Sequence, residues 1–387
     1  MMKNRINLKE DLSNCSGCGA CAVACPKQAI EMVENDCGFF YPAVREELCI
    51  HCGKCLRVCG FSVPLGESKP IKAFAAVGKD ALLTEKSASG GMFSCLANGL
   101  ILNGGMAAGA VMDLDNCKAD IYHLLTEKTD DISRLQGSKY VQSEAWRSYE
   151  DVLSALKQGR QVLFSGTPCQ VAAIRHLSGD PENLITMDIV CHGVPNKRMF
   201  NDYLKILGRY LKGTVSGIRF RDKSAPKAYT AAVETKEGSK YRIRSKFLSF
   251  YALFLDSSIC RESCYHCPYA KAERISDLTV GDYWGIKNHH TDLPDRNDWS
   301  CVLINTEKGQ QFLKAYEEAL VLYPTDVRWV REGNRQLNEP PKKGNNCDIL
   351  LNTYKKKGYS SLETAFVRKN GGFLRFRWHL MKHLQGK

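Results

Sequence analysis

Cys15-Ser16-Gly17-Cys18-Gly19-Ala20-Cys21-Ala22-Val23-Ala24-Cys25-Pro26 is answered further along by Cys49-Ile50-His51-Cys52-Gly53-Lys54-Cys55-Leu56-Arg57-Val58-Cys59-Gly60. Both runs read C-x2-C-x2-C-x3-C. Three closely spaced thiolates wrap one face of a 4Fe-4S cubane, and the fourth cysteine of each run reaches the other cluster instead of its own. The spacing therefore assigns Cys15, Cys18, Cys21 and Cys59 to one cluster and Cys49, Cys52, Cys55 and Cys25 to a second. Gly17, Gly19 and Gly53 let the backbone wind tightly and turn N–H groups toward sulfur, which raises the reduction potential. Zinc is the weaker reading, because zinc sites pair C-x2-C units across longer gaps. One departure stands out: Gly60 occupies the place where a proline often follows the second run.

The whole chain has 387 residues, 18 of them cysteine, and 44% hydrophobic side chains. At roughly 100–200 residues per domain, two or three domains are expected around a real core. Disulfides are rare in reducing cytosol, and the cysteines cluster at metal-ligand spacings, so metal explains them better. No run reaches the ~18 apolar residues of a membrane span. The least polar stretch, Gly90 to Met112, is broken by glycines and by Asn98 and Asn103. Lys3, Arg5, Lys9, Glu10 and Asp11 crowd the place where a signal peptide would carry its apolar core, so a cytoplasmic location is expected.

The net charge of +12 is uneven. Residues 1–64 hold seven basic and seven acidic side chains, while residues 342–387 hold eleven basic and two acidic. Positive charge is thus a property of the C-terminal end and no argument for nucleic acid binding by the body.

The expected organisation is a unit over 1–64, a linker near Ser62–Pro70, a second domain over 71–325 and a basic tail over 326–387. Strands are read at Ile71–Val77, Met106–Met112, Ile121–Leu125, Gln161–Ser165, Leu184–Cys191 and Cys301–Asn305. Helices are read at Gly91–Leu102, Trp146–Gln158, Gln170–Leu177, Lys197–Leu211 and Gly309–Leu320. Val215 to Ile243 is strand-like, with a hairpin at Glu237-Gly238. The fold class that follows is an α+β ferredoxin-like two-cluster domain followed by an α/β domain with a mixed sheet.

Beyond the first unit, Ser87-Ala88-Ser89-Gly90-Gly91, Gly137-Ser138-Lys139-Tyr140, Gly166-Thr167-Pro168-Cys169-Gln170, Val190-Cys191-His192-Gly193 and Cys264-x2-Cys267 run in that order. The last leads into Asp277-x3-Gly281-Asp282-x-Trp284-Gly285. Taken together they resemble the beta subunit of deazaflavin-coenzyme-reducing hydrogenases and dehydrogenases. The resemblance implies FAD and one further 4Fe-4S cluster in this region, and electron transfer between a two-electron carrier and iron–sulfur chains.

On that footing Ser87, Ser89, Gly90 and Gly91 open a helix whose N–H groups suit a pyrophosphate, against the plainer reading of an ordinary helix start. Lys139 meets a phosphate or the reduced flavin's anion, against the reading of a solvated lysine. Tyr140 and Thr167 complete the expected FAD set. Cys169 and Cys191 each close a strand of consecutive strand–turn–helix units, which brings them to one sheet edge. With Cys264 and Cys267 they match the family's pattern for the third cluster. Cys260 competes for that role on spacing, and a redox-active or nucleophilic Cys169 is the rival idea. Cys37, Cys95, Cys117, Cys301 and Cys347 read as ordinary core or surface residues, and His289-His290 as loop residues.

The expected protein is an FAD- and 4Fe-4S-dependent oxidoreductase. It works with a redox partner protein (ferredoxin or another oxidoreductase subunit) and a small-molecule two-electron donor or acceptor, without nucleic acid. Two alternatives stand beside it. One is a ferredoxin-dependent reductase of an organic substrate in surface-polysaccharide metabolism, and the other is a non-catalytic iron–sulfur electron-transfer subunit. Phe373, Phe376, Leu380 and Leu384 form one stripe of a terminal helix flanked by Arg375, Arg377 and Lys382. Such a helix packs on its own domain or makes a peripheral contact with the inner membrane surface or an acidic partner.

Overall fold

The computed structural model describes residues 12–225, 229–294, 296 and 298–370. In the first unit each cysteine run turns into a short helix, Ala20–Val23 and Lys54–Arg57, started by a glycine in the left-handed region. Between the runs β1 (Ile30–Glu34) and β2 (Phe40–Val44) form an antiparallel hairpin. This is the ferredoxin-like unit the cysteine spacing calls for.

The larger part is built on a mixed sheet of eight strands among the described residues. Its strands are β3 (Lys72–Gly78), β4 (Met106–Asp115), β5 (Lys118–Thr126), β6 (Val162–Gly166), β7 (Leu184–Ile189), β11 (Leu278–Asp282), β12 (Ser300–Ile304) and β13 (Leu320–Thr325). They lie in the order β13-β3-β12-β11-β7-β6-β4-β5. The centre, β11, β7, β6 and β4, is parallel, and the flanking strands are antiparallel. The intervening β8 (Val215–Arg219), β9 (Thr230–Thr235) and β10 (Lys240–Arg244) make a separate antiparallel meander.

Central strands are apolar on both faces, as parallel strands covered by helices must be. Along β6, Val162 and Phe164 join one core with Tyr149, Val152 and Ile174, and Leu163 joins the opposite core with Met92, Leu96 and Phe312. The first unit packs on the former face, where Ala20, Val23, Val58 and Phe61 share that core.

Three expectations change. Helix Glu307–Ala315 stops before Leu320, and the chain enters β13, an edge strand that tolerates Pro324. The β11 segment is a strand that sequence periodicity did not mark. Residues 326–370, read as part of a basic tail, hold helices Val327–Gly333, Cys347–Lys357 and Tyr359–Lys369, which fold back onto the body. Cys347, Tyr354, Tyr359 and Leu362 are buried in one core with Phe200, Phe250 and Phe254. Tyr354 Oη donates to Asp202 at 2.9 Å, and Ser249 donates to the buried Glu363. The lysine-rich composition masked this apolar spacing. The terminal stripe Phe373 to Leu384 lies outside the described residues. No helix among the described residues is long and apolar enough to cross a membrane.

Candidate functional site

All the described cysteines are free thiols. Cys15, Cys18, Cys21 and Cys59 line one small cavity, joined there by Cys169, Phe61 and Tyr269. Burial pushes the Cys18 thiol up to about 12 and raises Cys15 and Cys21. Of the other set, Cys52 is exposed and Cys25, Cys49 and Cys55 are half-buried. Burial raises the Cys55 thiol, and Cys25 and Cys52 lie near enough to raise it further. Among the described residues no three His, Cys, Asp or Glu side chains converge on a single metal ion. A cubane asks for a different arrangement, one thiolate at each of four separate irons.

The departure at Gly60 has a steric reason. A Cβ there would stand 2.5 Å from Tyr269 Oη and 3.0 Å from Ala172 Cβ, so the end of the second run must be bare to seat against the body.

Adjacent parallel strands β6 and β7 bring Cys169 and Cys191 to the same sheet edge. Cys169 sits in the first turn of helix Pro168–Ser178, which Thr167 and Gln170 close with a capping box, and Thr167 Oγ1 lies 3.2 Å from Cys169 Sγ. Cys264 and Cys267 come from the turn Glu262–His266 and its end. The four thiols stand close enough to act on one another. Cys191 is raised first by burial and then by Cys264, Cys169 and Cys267, while Cys264 and Cys267 are each held at about 11, mainly by burial. Cys260 is buried beside them, raised by burial and then by Cys264 and Cys191. Cys95, Cys301 and Cys347 are buried core residues, and Cys37 and Cys117 are half-buried. His289 stacks on Trp329 and pairs with Glu332, and His290 bonds Thr325 Oγ1.

Over the same sheet edge opens a cavity of about 650 Å³, within the ~300–1,000 Å³ usual for cofactor sites. Ser87, Ser89, Gly91, Lys139, Tyr140, Thr167 and Cys191 line it, with Tyr229, Trp284, His123 and Gln142. Gly90 does not. It is packed behind the wall, where a Cβ would meet Ala76 O at 2.4 Å, so a substitution there tests packing. The serines are engaged already, Ser87 Oγ with Ser94 Oγ at 2.9 Å and Ser89 Oγ with Trp299 O at 3.1 Å. The open donors at this end are those of the first turn of helix Met92–Leu102.

Lys139 donates to Arg134 O at 3.0 Å and Gln136 O at 2.7 Å and has no carboxylate partner among the described residues. Desolvation holds its ammonium down to about 7. A desolvated cation with only carbonyl partners, near a helix N-terminus, suits an anionic group. Tyr229 and Trp284 stack at 5.5 Å, giving the wall a flat aromatic surface. These features fit a dinucleotide flavin: an anion-binding end and aromatic surface within one cavity of adequate size. His123, buried, is held down to about 4 by desolvation. It is neutral, with Nε2–H donating to Ser165 O and Nδ1 accepting from Ser143 Oγ.

Two residues without a motif of their own join the parts. Gln142 lines the large cavity and donates to Ser16 O at 2.7 Å. Arg261, 1% exposed, reaches from the Cys260–Cys264 segment into the first unit and donates to Cys15 O and Phe40 O. Its position inside C-R-x-x-C was the only signal.

Comparison with known proteins gives two family matches. Residues 159–328 match the C terminus of the coenzyme F420 hydrogenase/dehydrogenase beta subunit, and residues 14–63 match the 4Fe-4S dicluster domain. The F subunit of the F(420)H(2) dehydrogenase of Methanosarcina mazei is 25% identical over 350 residues, covering 86% of this chain and 90% of that protein. An uncharacterized protein of Methanocaldococcus jannaschii is 27% identical over 225 residues, covering 48% of this chain and 59% of that one. A chain of the F420-reducing [NiFe] hydrogenase complex from Methanosarcina barkeri superposes with a TM-score of 0.47 at 14% identity, over 70% of this chain and 90% of that chain.

Proposed function

This chain joins a 4Fe-4S dicluster domain to the C-terminal region typical of coenzyme F420 hydrogenase/dehydrogenase beta subunits, and we propose that it is an iron–sulfur flavoprotein oxidoreductase moving electrons between a two-electron carrier and a chain of 4Fe-4S clusters. The observation that carries this reading is contiguity. Cys191 lines the large cavity, its neighbour Cys169 lines the small cavity, and Cys15, Cys18, Cys21 and Cys59 wall that small cavity too.

In this reading FAD occupies the large cavity, held by Ser87, Ser89, Gly91, Lys139, Tyr140 and Thr167. Bound there, it supplies the exchange between hydride-type two-electron chemistry and single electrons. Lys139 would offset negative charge on it. Cys169, Cys191, Cys264 and Cys267 would hold a third cluster, and the dicluster unit would continue the relay to a redox partner protein. A peripheral membrane contact through the basic C-terminal end is also part of the proposal, tested by salt-sensitive binding to anionic vesicles.

The test is an anaerobic screen of the purified protein. FAD is assayed by release, and reduced coenzyme F420, NADH, NADPH and reduced ferredoxin are offered in turn while flavin absorbance is followed. Reduced coenzyme F420 comes first, because the M. mazei relative bears that activity in its name. Flavin bleaching ahead of the clusters supports the reading. Clusters that load and reduce in protein that binds no FAD leave a non-catalytic electron-transfer subunit.

A further inference from the structure

Arg261 is a buried guanidinium without a counter-charge among the described residues. Its nitrogens meet Cys15 O at 3.3 Å, Phe40 O at 3.0 Å and Gln142 Oε1 at 2.9 and 3.0 Å. Its remaining faces lie over the rings of Phe39 and Tyr41, 5.1 and 4.7 Å from the centroids. Carbonyls and rings solvate a cation weakly, and a buried charge left so is costly unless an anion stands near. The first unit is shaped to admit it: a Cβ on Gly17 would lie 2.5 Å from Arg261 Nη2. The groups in reach that become anionic on cluster binding are cysteines. Arg261 reaches the backbone of Cys15 in the first set, and its own carbonyl accepts from Cys264 N at 3.0 Å in the third. Among the described residues its side-chain hydrogen bonds and ring contacts include none of Cys25, Cys49, Cys52 or Cys55.

We propose that Arg261 is a positioning residue whose counter-ion is the pair of clusters on either side of it, and that it raises the reduction potentials of both while leaving the outer cluster alone. This rests on the cluster assignment proposed above. Four thiolates make a cubane anionic, and each added electron makes it more so, so a fixed buried cation favours the reduced form. The two clusters nearest the large cavity then become the favoured first acceptors.

The test is an anaerobic redox titration of the holoprotein, with cluster signals resolved by electron paramagnetic resonance. Arg261→Gln, which keeps hydrogen bonding and removes charge, is compared with Arg261→Lys, which keeps charge. In the Gln variant two signals should fall by a tenfold or larger drop in reduction equilibrium, ~59 mV per tenfold for one electron. The third signal should stay, and Lys should restore most of the loss. Three signals moving together, none moving, or Lys behaving as Gln would each overturn the proposal. Iron content is measured alongside. Wild-type protein with about eight iron in place of about twelve removes the third cluster from the reading, and the shift of the Cys15–Cys59 cluster alone then decides the role of Arg261.

Discussion

The two halves of the dicluster unit share one spacing and differ in everything around it. Cys15, Cys18 and Cys21 sit against the body, where burial raises their thiols and Arg261, Tyr269 and Cys169 crowd the same place. Cys52 is exposed, and its neighbours Leu48, Ile50 and Leu56 are exposed apolar side chains, 41%, 56% and 36% accessible. A repeated motif has thus been given an inward half and an outward half. Solvent exposure, local charge and hydrogen bonding set cluster potentials, so equal ligands in unequal surroundings give unequal clusters. Exposed apolar groups around the outer site suit contact with a partner protein.

The strongest way to break this comparison is to remove the outer half. A Cys52→Ser, Cys55→Ser variant should lose electron delivery to an external protein acceptor almost wholly while the flavin still bleaches with its donor. Undiminished acceptor reduction would move the exit to the inner half.

Next in size is the iron count. Wild type should hold about twelve iron and twelve sulfide, and Cys264→Ser with Cys267→Ser about eight. A variant that keeps all its iron would strike the third site.

A smaller effect separates the halves by rate. Under a chelator in air, about four iron should leave early with the outer cluster signal, because access governs attack on it. Simultaneous loss of both signals would erase the distinction.

The mildest test concerns the cavity behind the inner half. The Lys139 ammonium is populated below about 7 and lost above it. FAD should therefore bind more tightly at pH 6 than at pH 8, by up to about tenfold from this one group. Lys139→Met should weaken binding and flatten that slope. A slope that persists in the variant assigns it to another group.

How much of this was legible in the sequence differs by feature. The eight cysteines announce two clusters because ligand spacing is a local matter: a few residues of backbone must reach around one cubane. Strand–turn–helix alternation carried Cys169 and Cys191 to a common edge, since neighbouring parallel strands end together. The residues expected to hold FAD lie along one cavity except for Gly90, whose backbone approach to Ala76 O no motif reveals. The C-terminal helices are hard to see in the sequence because clustered lysines dilute the apolar spacing of Cys347, Tyr354, Tyr359 and Leu362.

What neighbours along the chain can specify is readable from the sequence: the cysteine ligand sets, most of the strands and helices of the large sheet but not β11 or β13, and the resemblance to a family. Which half of the repeat is sunk, why residue 60 is bare, and where the charge of Arg261 comes to rest follow from the folded chain. Burial and electrostatics are set by groups far apart in the chain, Arg261 with Cys15 and Gly60 with Tyr269, and no local pattern encodes them.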